Sequence, residues 1–230
     1  MTGAVWVSSV MTNGHLFDKQ GIREKYFGKD WAPPTFDLSK GGHDDVGDAH
    51  RRHLRGDKLA RTDFPEAMYV FAEGNWKRVG DLFCAGPFFA VKGKLAEVLK
   101  GFDLGDGELI EFPIFEADKT TRLPGPFYLL NFGAVKNSFV PEASQSRAGE
   151  KVVGLRSRRT IEHDGYELWA TYKLEDGDIA VTSAALEGAD LWFERKLENK
   201  IFMSGRLHDA VVAAKAKTDF QFAQARIVVP

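Results

Sequence analysis

The residues able to do chemistry are concentrated in few places, and the densest is His43, His50 and His53 with Asp44, Asp45 and Asp48. Imidazole and carboxylate together suit zinc or a similar ion. Their spacing matches no zinc motif, however, and Arg51, Arg52 and Arg55 set positive charge among the would-be ligands. The run therefore reads as a solvated, charged loop without a metal. Cys84 is the only cysteine, so no internal disulfide can form. As a nucleophile it would need a base such as His163 or His208, yet it stands between apolar residues with no catalytic signature around it, which reads as a buried thiol. The glycine-rich stretch 101–107 carries Asp103 and Asp106, which would repel phosphate, and it lacks the strand-to-helix setting of a phosphate loop. Ser204-Gly205 lacks the Gly-x-Ser-x-Gly pattern of a nucleophile elbow, and Ser204 reads as a helix cap instead. Arg156, Arg158 and Arg159 form a basic run in which alternate residues share one strand face. The residues assemble no catalytic set and call for no cofactor.

The elements that position these residues come in two related copies. Residues 88–99 (FFAVKGKLAEVL) and 200–211 (KIFMSGRLHDAV) align without a gap, placing Phe89 on Ile201, Val91 on Met203, Gly93 on Gly205, Lys94 on Arg206 and Leu95 on Leu207. Asp81-Leu82-Phe83 precedes the first copy and Asp190-Leu191-Trp192 the second. Self-similarity at long spacing marks a repeated supersecondary unit. In each copy a β-forming run leads into an apolar stripe at i, i+3, i+4 and i+7, by Leu95, Val98, Leu99 and Phe102 and by Leu207, Ala210, Val211 and Ala214. The pattern predicts strand–helix–strand units, with Leu95, Leu99, Leu207 and Val211 buried. Strands that are parallel neighbours would make the crossover right-handed.

Around the repeats, strands are expected at the N-terminal apolar run, at 68–71, 109–115, 127–132, 152–155, 166–174, 179–182 and 220–229, joined by Gly/Asp turns such as His163-Asp164-Gly165. The class is α+β, a mixed and largely antiparallel sheet with helices on one face. Residues 28–63 hold Pro33-Pro34, Gly41-Gly42 and the charged histidine run, and read as loop. The division expected is an N-terminal extension over 1–65 and an α+β domain over 66–230 that contains the repeat (81–115 and 190–229). A formal net charge of −2 gives no footprint for nucleic acid. The opening apolar run has no basic flank and is too short to be a secretory signal or a membrane span, and the lone cysteine agrees with a reducing cytoplasm.

With these residues in place, positions 66–229 resemble the bacterial polymorphic-toxin immunity proteins of immunity family eleven. The resemblance lies in Gly80-Asp81-Leu82-Phe83 with Gly86, in the strand and helix of 88–99, in Phe127-Tyr128-Leu129-Leu130-Asn131, and in Asp190-Leu191-Trp192 followed by Phe202-Met203-Ser204-Gly205-Arg206-Leu207. The chain departs from the family after Asn131, where Gly133 to Ser138 lacks the family's aspartate, and at Lys92-Gly93, where the family often has serine. The resemblance implies a structural role for Asp81, Gly86, Tyr128, Asn131, Asp190 and Ser204. It also implies a cytoplasmic, non-enzymatic protein that binds and neutralises one cognate toxin. Arginine and aromatic side chains dominate binding hot spots, so Arg156, Arg158, Arg159 and Trp192 are the expected partner-binding residues. Two other classes stay open: an enzyme whose site draws on His163 and the carboxylates of 103–118, and a structural or oligomerising module.

Overall fold

The computed structural model describes residues 3–12, 14–17, 20–34, 44–149, 151–160, 167–171 and 173–229. The N-terminal half runs β1 (Val5–Ser8), α1 (Gly14–Phe17), β2 (Ile22–Lys25), α2 (Asp44–His53), β3 (Ala67–Val70), α3 (Glu73–Trp76), β4 (Leu82–Ala85), β5 (Phe88–Lys92), α4 (Gly93–Leu99), β6 (Glu108–Glu111) and β7 (Ile114–Phe115). There follow β8 (Phe127–Asn131), β9 (Val135–Lys136), β10 (Gln145–Ala148), β11 (Lys151–Gly154), β12 (Arg156–Thr160) and β13 (Glu167–Ala170). The chain closes with β14 (Ala180–Thr182), β15 (Leu191–Glu194), β16 (Ile201–Ser204), α5 (Gly205–Ala214) and β17 (Phe222–Val228). The fold is α+β, as expected, but its strands form several sheets. Two carry the repeat: β4-β5-β8-β6 and β14-β17-β1-β16-β15-β9. A sheet β2-β3-β7 and the hairpins β10-β11 and β12-β13 complete it. The run expected as one strand over 109–115 is broken at Phe112-Pro113, because proline cannot donate to a ladder, and its two halves join different sheets.

The two units match down to strand register. Leu82 pairs with Val91 and Cys84 with Phe89, as Leu191 pairs with Met203 and Phe193 with Ile201. Beyond the hairpin, Val91 faces Tyr128 of β8 as Met203 faces Trp6 of β1, and Ile110 faces Leu129 as Ala223 faces Val7. Both flanking strands are antiparallel to the strand between them, so β5 and β6, like β16 and β17, are parallel but not neighbours. Each unit is thus a hairpin feeding a split β-α-β crossover, so the case of adjacent parallel strands does not arise.

In the second unit the inserted strand is β1, from the N-terminal end of the chain, hydrogen-bonded to β16 on one side and β17 on the other. Residues 1–65 are therefore no mere extension: β1 lies inside the six-stranded sheet, and β2 pairs with β3. The facing sides of both units share one apolar cluster. Leu82, Phe89, Val91, Leu95 and Leu99 meet Leu191, Ile201, Met203, Leu207 and Val211 there, all at most 4% exposed. The opposite sides are covered too, that of the first sheet by a cluster around Phe64, Phe83 and Phe88, that of the second by one around Trp192, Phe202 and Phe139. A sheet buried on both faces reads as a continuous apolar run, and this accounts for Phe88-Phe89-Ala90-Val91.

The histidine run is also corrected. Residues 44–53 form helix α2, whose Val46, Ala49, His50 and His53 recur at i, i+3, i+4 and i+7. His53 is fully buried, and the Phe89 amide donates to its Nε2 at 3.1 Å. The stripe escapes a hydropathy reading because two of its members are histidines, whose pKa values burial lowers so that the neutral imidazole is favoured.

Candidate functional site

The buried carboxylates among the described residues, Asp178, Asp190 and Glu194, are spent on architecture, and the repeat aspartates show how. Asp190 precedes β15, and its carboxylate, 1% exposed, gathers donors from two elements. Arg206 forks onto it with Nε and Nη2 both at 2.6 Å, the Ser204 hydroxyl donates at 2.5 Å, and the Asp103 amide donates at 3.0 Å. The Asp190 amide returns a bond to the Asp103 carbonyl at 2.6 Å. Burial pushes this carboxyl up, but the Arg206, Ser204 and Asp103 donors outweigh it and hold it below the usual range. Ser204 meanwhile caps α5 by accepting from the Leu207 amide at 3.2 Å.

Asp81 repeats the device with reduced means. Its amide donates to the Lys217 carbonyl at 2.7 Å, and the Lys217 amide donates back to its carboxylate at 2.9 Å. Asp103 lies just past α4 and Lys217 just past α5. Each aspartate therefore grips the segment that leaves the other unit's helix. This reciprocity, with α4 packed on α5, is the contact pattern of an approximate two-fold axis.

The remaining named positions divide as follows. The Asn131 side chain is buried and makes a two-bond bracket with the Leu59 backbone, 2.9 Å each way. Gly86 turns the β4-β5 hairpin at φ +63°, and a Cβ there would stand 2.9 Å from the Tyr26 hydroxyl. Tyr128 is half-buried, with the Lys100 ammonium 4.8 Å above its ring. Cys84 is buried, and burial pushes its thiol up, which suits an inert side chain. His208 stacks on Trp6 at 3.8 Å and meets Asp209 at 2.9 Å. His163 lies outside the described residues, as does His43.

Trp192 is not an exposed anchor. It is fully buried, its Nε1 donates to Glu194 at 3.0 Å, and the Lys136 ammonium sits 3.6 Å above its ring. The expectation from residue type fails because its sheet is covered on both faces. Glu194 is 2% exposed and also accepts from the Ser138 amide at 2.8 Å and the Phe139 amide at 3.1 Å, so this buried carboxylate is fully engaged. Arg156 stands exposed on β12, whereas the side chains of Arg158 and Arg159 lie outside the described residues.

What this leaves to a ligand is surface. Among the described residues no three His, Cys, Asp or Glu side chains gather as metal ligands, and no helix is long and apolar enough to cross a membrane. Several open depressions exist. One of about 350 Å³ adjoins the Asp81 clamp, with Asn75, Arg78 and Lys217 around it. A groove of about 760 Å³ runs between the start of α4 and Pro124–Phe127. The residue-by-residue reading missed this groove; the alignment of the two copies carries its trace, since Phe102 falls opposite Ala214. Compared with protein-family models and with curated proteins, the chain matches none.

Proposed function

We propose that this chain is a non-enzymatic binding protein that neutralises a cognate bacterial toxin, in the manner of the immunity proteins it resembles. The observation that carries the reading is the pair of aspartate clamps. The residues of the resemblance that look most reactive, Asp81, Asp190 and Ser204, are consumed in joining two copies of one scaffold unit. A duplicated scaffold whose repeat aspartates are spent on joining its two halves leaves its loops and outer faces for recognition. On this reading the protein acts in the cytoplasm, takes no cofactor and binds neither nucleic acid nor membrane.

The test is co-expression with candidate toxin domains encoded beside its gene. One toxin should be neutralised while the others are not. Protection should survive Cys84→Ala, His163→Ala and Asp103→Asn taken singly, since binding energy is spread over an interface. Loss of protection from one such change, in a protein that still folds and binds the toxin, would show an enzymatic antitoxin.

A further inference from the structure

The approximate two-fold gives each residue of one unit a mate in the other, and one set of mates differs at the surface. At the start of α5, the Arg206 guanidinium is forked onto Asp190 and lies 5.9 Å from the centroid of the Phe102 ring, which comes from just beyond α4. The second unit is thus closed by an aromatic ring and a carboxylate. At the start of α4 the mate of Arg206 is Lys94, and the mate of Phe102 is Ala214. Ala214 ends at its Cβ and supplies no ring. There the surface holds the groove of about 760 Å³, lined by Val98, Pro126, Phe127 and Ala214, with Lys92 and Lys94 on its rim.

The charged side chains lining the groove are Lys92, Lys94 and Glu97. Lys94 is exposed and makes no ion pair among the described residues. Lys92 is half-buried, 4.4 Å over the Trp76 ring, and burial lowers its ammonium pKa. The carboxylate that lines the groove, Glu97, is bound to Lys100 at 2.8 Å. The carboxylate of Asp81, the mate of Asp190, accepts from the Lys217 amide and also acts on Lys92, partly opposing the effect of burial there, so Lys94 is the cation left to a partner.

We propose that this groove is the docking site for an aromatic side chain flanked by carboxylates on a protein partner. The ring would take the place that Phe102 fills in the other unit, and the acids would meet Lys94. Aromatic rings in desolvated pockets are the strongest single anchors of protein interfaces. The proposal rests on the protein-binding reading above and assigns that reading a surface.

The experiment titrates the full-length protein with the acetylated, amidated peptide Glu-Asp-Phe-Asp-Glu, followed by amide NMR shifts. Controls are the same peptide with Ala for Phe and the basic peptide Lys-Lys-Phe-Lys-Lys. The expected result is shifts at Gly93, Lys94, Val98 and Ala214, with affinity about tenfold weaker for each control. Ala214→Phe, which restores the ring of the other unit, should abolish the shifts. Lys94→Glu, at an exposed site, should weaken binding about tenfold without moving the melting temperature. Equal affinity for the alanine peptide, shifts that avoid the groove, or binding unchanged in both variants would overturn the proposal. So would a concentration-dependent dimer lost in Ala214→Phe, which would make the groove a self-interface. Neutralisation of a toxin by wild type and equally by Ala214→Phe and Lys94→Glu would leave the binding reading intact and remove the groove. Absence of any neutralised toxin would count against the binding reading alone, because the peptide titration decides the groove by itself.

Discussion

Asp190 binds an arginine, a hydroxyl and a distant backbone amide at once, and it does so while 1% exposed. Asp190→Asn keeps the shape but loses the charge, and should destabilise the protein by about 1–3 kcal/mol in urea unfolding, since bonds to charged groups are the costly ones to lose. Asp81→Asn should cost less, because Asp81 is half-buried and holds one amide. Because the Asp190 carboxyl lies below its ordinary value when folded, its stabilisation is present above the unfolded value of about 4 and is lost as pH falls through the folded one. His53 acts in a separate window with the same sign. Burial lowers it from 6.5 to about 3, so the unfolded chain takes up its proton first and stability declines as pH falls from 6.5 toward 3. His50, lowered by burial and by Arg51, adds to that decline. His53→Leu should flatten the pH dependence of the urea midpoint between pH 7 and pH 4.5 (about the span where only histidine titrates). It should also lower stability at pH 8 by about 1–3 kcal/mol, through the Phe89 amide left without its acceptor. A slope unchanged in that variant would show that the imidazole is not the group being titrated.

At the level of elements, the helices α4 and α5 bury matching leucines in the cluster shared by both sheets. Leu95→Ala and Leu207→Ala, each at 0% exposure, should cost about 2–5 kcal/mol; a loss under about 0.5 kcal/mol would be a surface effect and would place the wrong side inward. Removing residues 1–9 should be harsher, since β1 supplies ladder bonds to β16 and β17 together. The expected outcome is loss of cooperative melting by circular dichroism, while a folded truncated protein would contradict the placement of β1. The repeat was readable in sequence because Leu95, Leu99, Leu207 and Val211 follow the helical period and Ser204 marks a cap. The strand nature of β1 was readable as well. Its place was not, because nothing local tells a strand which distant hairpin will accept it. Helix α2 was hidden by the histidines on its buried face. Trp192 was misread because residue type alone does not tell a binding anchor from a core residue, and its sheet is covered on both faces. The groove was invisible to a residue-by-residue reading, for its walls come from α4, the segment before β8 and the end of α5, which lie far apart in the chain.

For the molecule as a whole, two copies of one unit lock each other through Asp81 and Asp190. The account therefore predicts action by occupancy. The direct measurement is a titration of the cognate toxin domain's activity with this purified protein. Residual toxin activity should fall linearly and vanish near one molar equivalent, without dependence on incubation time, and should return when the two proteins are separated. Complete inhibition at a small fraction of an equivalent, growing with time and persisting after separation, would mean that the protein modifies the toxin or its substrate catalytically, and would contradict the account.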